Sequence, residues 1–209
     1  MTGTALDQLL ERARGPVGAR VELDFGVTDG PLAELAALLT RINGFFLFNA
    51  GVQVYRAGEP GLGPELAWWN EPETWKAAYG GLADGLFCFG QDLFGTQFAI
   101  RNGIEVVTFD PETAATEALG DSLDAWAQWL LDDLDVRGAA SFARAFQDSE
   151  GALQPDQRLL PLRLFVGGGS YDFDNLTVKD AATAMRIRGP IAQQLHDLPE
   201  GTVVRLSTS

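Results

Sequence analysis

Much of the usual equipment for chemistry is missing from this chain. Its 209 residues contain one cysteine, Cys88, and one histidine, His196. A lone cysteine makes no internal disulfide, and its neighbours Phe87 and Phe89 point to an inert buried thiol. A zinc site built from Cys and His side chains is all but excluded by the count. A Cys/His or Ser/His/Asp site would need His196, which stands between Leu195 and Asp197 with no nucleophile motif beside it. No apolar run approaches the roughly 18 residues that span a bilayer. The opening residues, MTGTALDQLLERARG, lack a basic segment followed by an apolar one. No secretory leader is therefore expected, and the cytoplasm is the expected compartment.

Positive charge is scarce as well. Lys and Arg number 15 against 29 Asp and Glu, a formal net charge of −14. Nucleic-acid binding needs a basic face, and an anionic membrane surface attracts basic segments, so both are poor partners for this chain. The excess is one-sided. Residues 1–152 hold 23 acids and 9 bases, whereas six of each fall from Leu153 onward. No base occurs between Arg101 and Arg137. That gap holds Glu105, Asp110, Glu112, Glu117, Asp121, Asp124, Asp132, Asp133 and Asp135. Such charge serves solubility, and it also steers basic partners and raises their association rates.

What the chain does have is core-forming material. Apolar residues make up 46% of it, enough for one domain with a substantial core, with or without an appended piece. Thr4 is placed to cap a short helix over Ala5–Arg14, which Gly15-Pro16 ends. Val21, Leu23 and Phe25 alternate with acids, which predicts a half-buried strand over Arg20–Phe25. Pro31–Ile42 reads as a helix with Pro in its first turn and an Asn43-Gly44 stop. Phe45–Phe48 and Val52–Tyr55 read as a hairpin. Short helices are expected at Pro64–Trp69 and Pro72–Tyr79. Leu86–Phe89, Gln97–Ile100 and Val106–Phe109 are apolar runs separated by glycine-bearing turns, a β-meander. Asp121 or Ser122 is placed to cap a helix reaching Leu134, and another follows over Ala139–Asp148. Gln147–Gln157 is the best linker candidate. Strands are expected at Leu162–Val166, Asp174–Val178 and Thr202–Leu206, with a turn of helix at Ile191–Leu195.

The few candidate functional groups have plain structural explanations. Gly167-Gly168-Gly169-Ser170 lacks the Lys-Ser/Thr ending of a phosphate loop, and a glycine-rich turn accounts for it. Asp172 and Asp174 share a face if they lie on a strand. A pair of this kind holds a hard cation or does acid–base work, though a solvated strand face also explains it. Trp68 and Trp69 cannot both face the same way, so one of them is a candidate for a partner surface.

Several segments together resemble the SUKH superfamily. A helix closes on Asn43-Gly44-Phe45-Phe46. Leu86-Phe87-Cys88-Phe89-Gly90-Gln91-Asp92 is followed by Phe94-Gly95-Thr96-Gln97-Phe98, similar to the family's apolar strand, glycine turn and apolar strand. Val106–Asp110 and the Ser122–Leu131 stretch fit the next strand and helix. Phe165–Tyr171, Asp174-Asn175-Leu176, Met185–Pro190 and Asp197–Arg205 resemble the tail of a bacterial branch. The resemblance spans about residues 30–206. It implies an α+β fold, a mixed but mainly antiparallel sheet with helices packed at one side, and a concave cleft. Residues 1–152 are expected to form the α+β core, and the neutral charge and strand content of 153–209 mark them as a strand-rich extension completing the same domain. The superfamily includes fungal cell-wall regulators and bacterial immunity proteins that neutralise polymorphic toxins, often nucleases. It shares no catalytic residues, so none are transferred, and no cofactor or metal is implied.

Three readings follow. The first is a non-enzymatic immunity-type protein that occludes a basic toxin domain such as a nuclease. Trp68, Trp69, Glu112, Asp121, Asp124, Asp132, Asp133 and Asp135 are its candidate contact residues. The second is a cellular regulatory or scaffold protein of the same fold. The third is an enzyme using Asp172 and Asp174.

Overall fold

A computed structural model describes residues 3–199. The chain starts with α1 (Ala5–Leu10), where the Thr4 hydroxyl accepts the Asp7 N–H at 3.1 Å. Pro31 opens the first turn of α2 (Gly30–Arg41), which buries Leu35, Ala36, Leu38 and Leu39. A six-stranded antiparallel meander follows: β1 (Phe45–Leu47), β2 (Val52–Val54), β3 (Leu86–Asp92), β4 (Gln97–Arg101), β5 (Glu105–Phe109) and β6 (Thr116–Gly120), in spatial order 1 to 6. Between β2 and β3 lie α3 (Leu66–Asn70) and a 3₁₀ turn at Lys76–Tyr79. After β6 come α4 (Leu123–Asp132), capped by the Ser122 hydroxyl, and α5 (Ala140–Glu150). A two-stranded sheet, β7 (Gln157–Pro161) and β8 (Leu176–Asp180), precedes α6 (Ala181–Leu195). The class is α+β with a mainly antiparallel sheet.

Strand alternation sends neighbouring residues to opposite faces, and here each face meets helices. Phe98 on β4 and Phe89 on β3 pack edge-on against Trp126 of α4, with centroids 5.6 and 5.3 Å away. The next residue along β4, Gln97, faces the other way, toward Trp69 of α3 and Met185 of α6. On that second side Trp75 and Tyr79 close over Phe109 at 5.9 and 5.2 Å.

The second face carries an unusual row. Gln53, Gln91 and Gln97 stand opposite one another across β2, β3 and β4, and all three are buried. Tyr55 Oη and Trp69 Nε1 each donate to Gln97 Oε1 at 2.8 Å. Gln91 Nε2 donates to Gln53 Oε1 at 3.1 Å, and Arg158 Nη2 on β7 donates to the same oxygen. Gln53 Nε2 in turn donates to the Pro155 carbonyl at 3.0 Å. The segment after α5 is thus tied to the sheet, and Leu159 N–H adds a bond to Leu93 O at 3.0 Å. A second apolar cluster joins Leu93 to Phe146, Leu159 and Leu176.

Asn43 and Gly44 do more than stop α2. The buried Asn43 amide donates to Ala19 O and Ala57 O at 2.6 and 2.8 Å, and its oxygen accepts Ala57 N–H at 2.7 Å. Gly44 has φ +69°, and a Cβ there would lie 2.8 Å from Arg56 N, so only glycine fits.

Several expected elements are displaced. Arg20–Phe25 half-buries Val21, Leu23 and Phe25 but pairs with no strand among the described residues. The strand β6 is new; it is polar and exposed along most of its length, so no apolar alternation announces it. The run Leu162–Val166 is turn and bend, and the strand lies just before it as β7. Asp174 belongs to a 3₁₀ turn, and β8 begins at Leu176. The helix expected only at Ile191–Leu195 begins at Ala181 and runs through Gly189-Pro190. Gly189 is there because α6 touches the Lys76–Tyr79 turn: a Cβ would sit 2.4 Å from Ala78 O. Gln147–Gln157 is not a free linker, since α5 runs to Glu150 and Gln147 Nε2 holds Asn49 O at 2.7 Å. Thr202–Leu206 lies outside the described residues.

Replacing Asn43 with Ala strands the buried N–H and C=O of Ala57 and releases the carbonyl of the exposed Ala19. Asn43→Ala is expected to lower unfolding free energy by about 2–4 kcal/mol, at roughly 1–3 kcal/mol per unpaired buried group. Urea denaturation measures this, and a loss under about 1 kcal/mol would show the side chain to be dispensable.

Candidate functional site

The adjacent tryptophans part company as strand or helix geometry requires. Trp69 is fully buried, whereas Trp68 is 43% exposed. Trp68 walls a cleft of about 730 Å³ whose lining includes Glu59, Glu65, Asp156 and Asp180. Arg56 also lines it, bonded through Nη2 to Glu59 at 2.7 Å.

The acids of the base-free segment divide by role. Asp121, Asp132, Asp133 and Asp135 are exposed. Asp132 accepts from Gln128 Nε2 at 2.7 Å, and Asp133 and Asp135 accept the N–H groups of Val136 and Ser141 at 3.0 and 2.9 Å. Asp124 is half-buried and accepts Leu6 N–H at 2.8 Å, joining α4 to α1. Glu112 is buried, 4% exposed, and therefore does not face a partner. Its two carboxylate oxygens accept Phe165 N–H and Val166 N–H at 3.2 and 2.9 Å, which fastens the β7–β8 connection beside the β5–β6 turn.

Asp172 and Asp174 are exposed at the start of the 3₁₀ turn, so they do not share a strand face. Among the described residues, no group of three or more His, Cys, Asp or Glu is placed to hold a metal ion. His196 is an exposed residue capping α6, with Nδ1 2.9 Å from Thr113 O; a carbonyl only accepts, so Nδ1 carries the proton. Burial pushes the Cys88 thiol up to about 12, far from thiolate chemistry at neutral pH.

A second cleft, of about 630 Å³, opens where the β3–β4 turn, the β5–β6 turn and the α4–α5 loop meet the β7–β8 connection. Its walls are aromatic. Phe165 and Tyr171 stack at 4.0 Å, and Phe94 stands edge-on to them at 5.4 and 5.3 Å, with Phe142 behind at 5.4 Å. Asp92, Asp110, Glu112 and Asp135 also line it. Asp92 Oδ1 accepts Phe94 N–H and Thr96 N–H at 2.9 and 2.8 Å. Asp110 Oδ1 accepts Glu112 N–H and Thr113 N–H at 2.7 and 3.0 Å. Loss of solvation raises the pKa of both Asp92 and Glu112 despite these bonds. The base lining the cleft, Arg188 of α6, is 1% exposed and donates through Nη1 to Phe94 O at 2.6 Å. No sequence pattern brings these residues together; only Glu112 and Asp135 were legible as candidates, through the missing bases around them.

A larger groove of about 1240 Å³ is lined by Leu162, Val166, Ile187, Ile191 and Leu198 together with His196, and by no carboxylate among the described residues. Among the described residues no helix is long and apolar enough to cross a membrane.

No protein-family model and no curated protein matches the chain. The crystal structure of Atu4351 from Agrobacterium tumefaciens is 14% identical to it, covering 87% of this chain and 86% of that one at a TM-score of 0.47. A likeness of that size carries no functional argument.

Two outcomes test these assignments. Trp69→Ala is expected to cost about 3–5 kcal/mol, and Trp68→Ala no more than about 1 kcal/mol; equal costs in urea denaturation would contradict the exposure difference. Asp92 has its pKa raised in the folded state, so its contribution favours folding at low pH and is lost as pH rises above about 4. Asp92→Asn keeps the acceptor for both N–H groups and removes the titration. Its melting temperature, scanned from pH 4 to 7, is expected to fall less with rising pH than that of the unaltered protein; parallel profiles would refute this.

Proposed function

We propose that the chain is a non-enzymatic protein-binding domain of the immunity type, acting in the cytoplasm by occluding a basic surface on a cognate toxin domain such as a nuclease. The observation that carries this reading is the surface left by the base-free segment. Asp121, Asp132, Asp133 and Asp135 are exposed there. Arg137, the base flanking them, is bonded through Nη1 to Trp129 O at 2.7 Å and lies 3.5 Å from Asp132 Oδ2, so one of the four acids is partly neutralised and the face stays acidic. Such a face attracts a basic partner at long range and repels acidic ones. Trp68 is exposed on α3, which packs on the other side of the sheet from α4, so it offers an aromatic contact separate from this acidic face. The resemblance to the SUKH superfamily points the same way. Occlusion asks for no catalytic group, and the reading fits a chain whose lone thiol is buried and whose lone imidazole caps a helix.

Affinity capture from the native host with tagged protein, identified by mass spectrometry, tests the reading. A single co-purifying protein with a basic C-terminal domain is expected. Its association rate should fall at least about tenfold between low and near-molar salt, because the screening length shrinks from about 10 Å to about 3 Å over that range. Capture of a resident cellular complex would favour the regulatory scaffold, and a salt-independent rate would remove the acidic face from the account.

A further inference from the structure

The aromatic cleft differs from a merely acidic surface in having both an apolar interior and a charge to match. We propose that it receives one arginine side chain presented by a protein partner, seated against Phe94, Phe165 and Tyr171 and facing Asp92, Asp110 and Asp135. The inference rests on the reading of the chain as a binder of a basic protein, and it names the chemistry of one contact.

The occupant follows from charge complementarity. Four carboxylates line the cleft against one guanidinium, and that guanidinium is buried and bonded to the Phe94 and Ala184 carbonyls. The three aspartates hold backbone N–H groups through Oδ1, and the Thr96 and Ser141 side chains also hydrogen-bond Asp92 and Asp135. These donors are all neutral, so they leave the negative charge of the cleft in place. The rings add a second attraction, since a cation over an aromatic face is drawn to the ring quadrupole. A guanidinium suits both features better than an ammonium: it is planar, stacks on rings and forks onto carboxylates. Tyr171 is 57% exposed and Val136 80% exposed, so the rim is open to an approaching chain. At about 630 Å³ the cleft exceeds one side chain and has room for adjoining backbone.

Burial strengthens the case. Loss of solvation makes the ionised forms of Asp92 and Glu112 costly. An entering cation supplies the compensation that the protein itself leaves incomplete. Glu112 does not reach the ligand in this account; it holds the Phe165–Val166 backbone, and so the aromatic wall, in place.

The test is an NMR titration of isotope-labelled full-length protein with a blocked pentapeptide carrying one arginine among glycines and serines. The control is the same peptide with citrulline, the neutral isostere. Saturable shifts centred on Phe94, Phe165 and Tyr171 are expected with arginine. The citrulline peptide should bind at least about threefold more weakly. Tyr171→Ala should weaken arginine binding about threefold or more, and Asp135→Asn about twofold. Both side chains are exposed, and the asparagine retains the acceptor for Ser141 N–H, so folding is preserved; unchanged amide dispersion away from the cleft checks this. Equal binding of citrulline, shifts centred elsewhere, or no saturation up to about 10 mM peptide would overturn the proposal. Because the probe is a peptide, that failure leaves the affinity-capture result standing, and a captured partner whose binding ignores Tyr171→Ala would likewise refute the cleft alone.

Discussion

A row of buried amides governs this structure. Gln53, Gln91 and Gln97 lie side by side in the middle of a sheet, on a face that water does not reach. A polar group buried without a partner costs roughly 1–3 kcal/mol, so this face demands a specific cover where an apolar one would accept many. Tyr55 and Trp69 serve Gln97, while Pro155 and Arg158 serve Gln53. The pairing is incomplete, for Gln91 Oε1 and Arg158 Nε keep no partner among the described residues. Burial without a bonded carboxylate pulls Arg158 down to about 10. The gain is specificity: a one-residue slip of β7 would take Arg158 away from the glutamines, putting Leu159 or Gln157 in its place, and lose its bond to Gln53.

The cover sets the site. Once β7 is tied to the glutamine row, its connection to β8 has to pass over the β3–β4 turn. There the Glu112 carboxylate grips it through two backbone N–H groups. Phe165 and Tyr171 then meet Phe94, and the space left between them is the aromatic cleft. Its acids are the turn-capping residues of the surrounding loops. Asp92 and Asp110 each hold backbone N–H groups, so the negative charge arises from the same residues that shape the turns. Charge and shape are therefore hard to separate by mutation, except at the exposed Tyr171 and Asp135.

Local pattern was legible where local forces decide. Ser122 and Thr4 cap their helices through their own hydroxyls, and the apolar face of α2 meets the core as its spacing requires. The runs that became β3, β4 and β5 are buried on both sides and read as strands without help. Reading failed where tertiary contact overrides a local signal. Gly189-Pro190 is a turn signal in isolation, yet α6 continues through it because the helix must approach Ala78 more closely than a Cβ permits. Leu162–Val166 has the composition of a strand but ends up as turn and bend. The site was less legible than the fold. A missing run of bases marked Asp121, Asp132, Asp133 and Asp135 as surface acids, but the same signal included Glu112, which a backbone clamp withdraws from solvent.

The α+β class was expected from the SUKH resemblance, while by itself the sequence determined a central β-meander running into a helix, a strongly acidic chain, one thiol and one imidazole. Those properties follow from composition, periodicity and caps, which act within a few residues of each position. Only the tertiary structure decided which acids face outward, which tryptophan is exposed and where the aromatic cleft lies. These depend on contacts between Glu112 and Phe165, Gln53 and Arg158, and Asp92 and Arg188, each pair separated by dozens of residues. Burial and desolvation belong to such long-range pairs, and no short window of sequence contains both members.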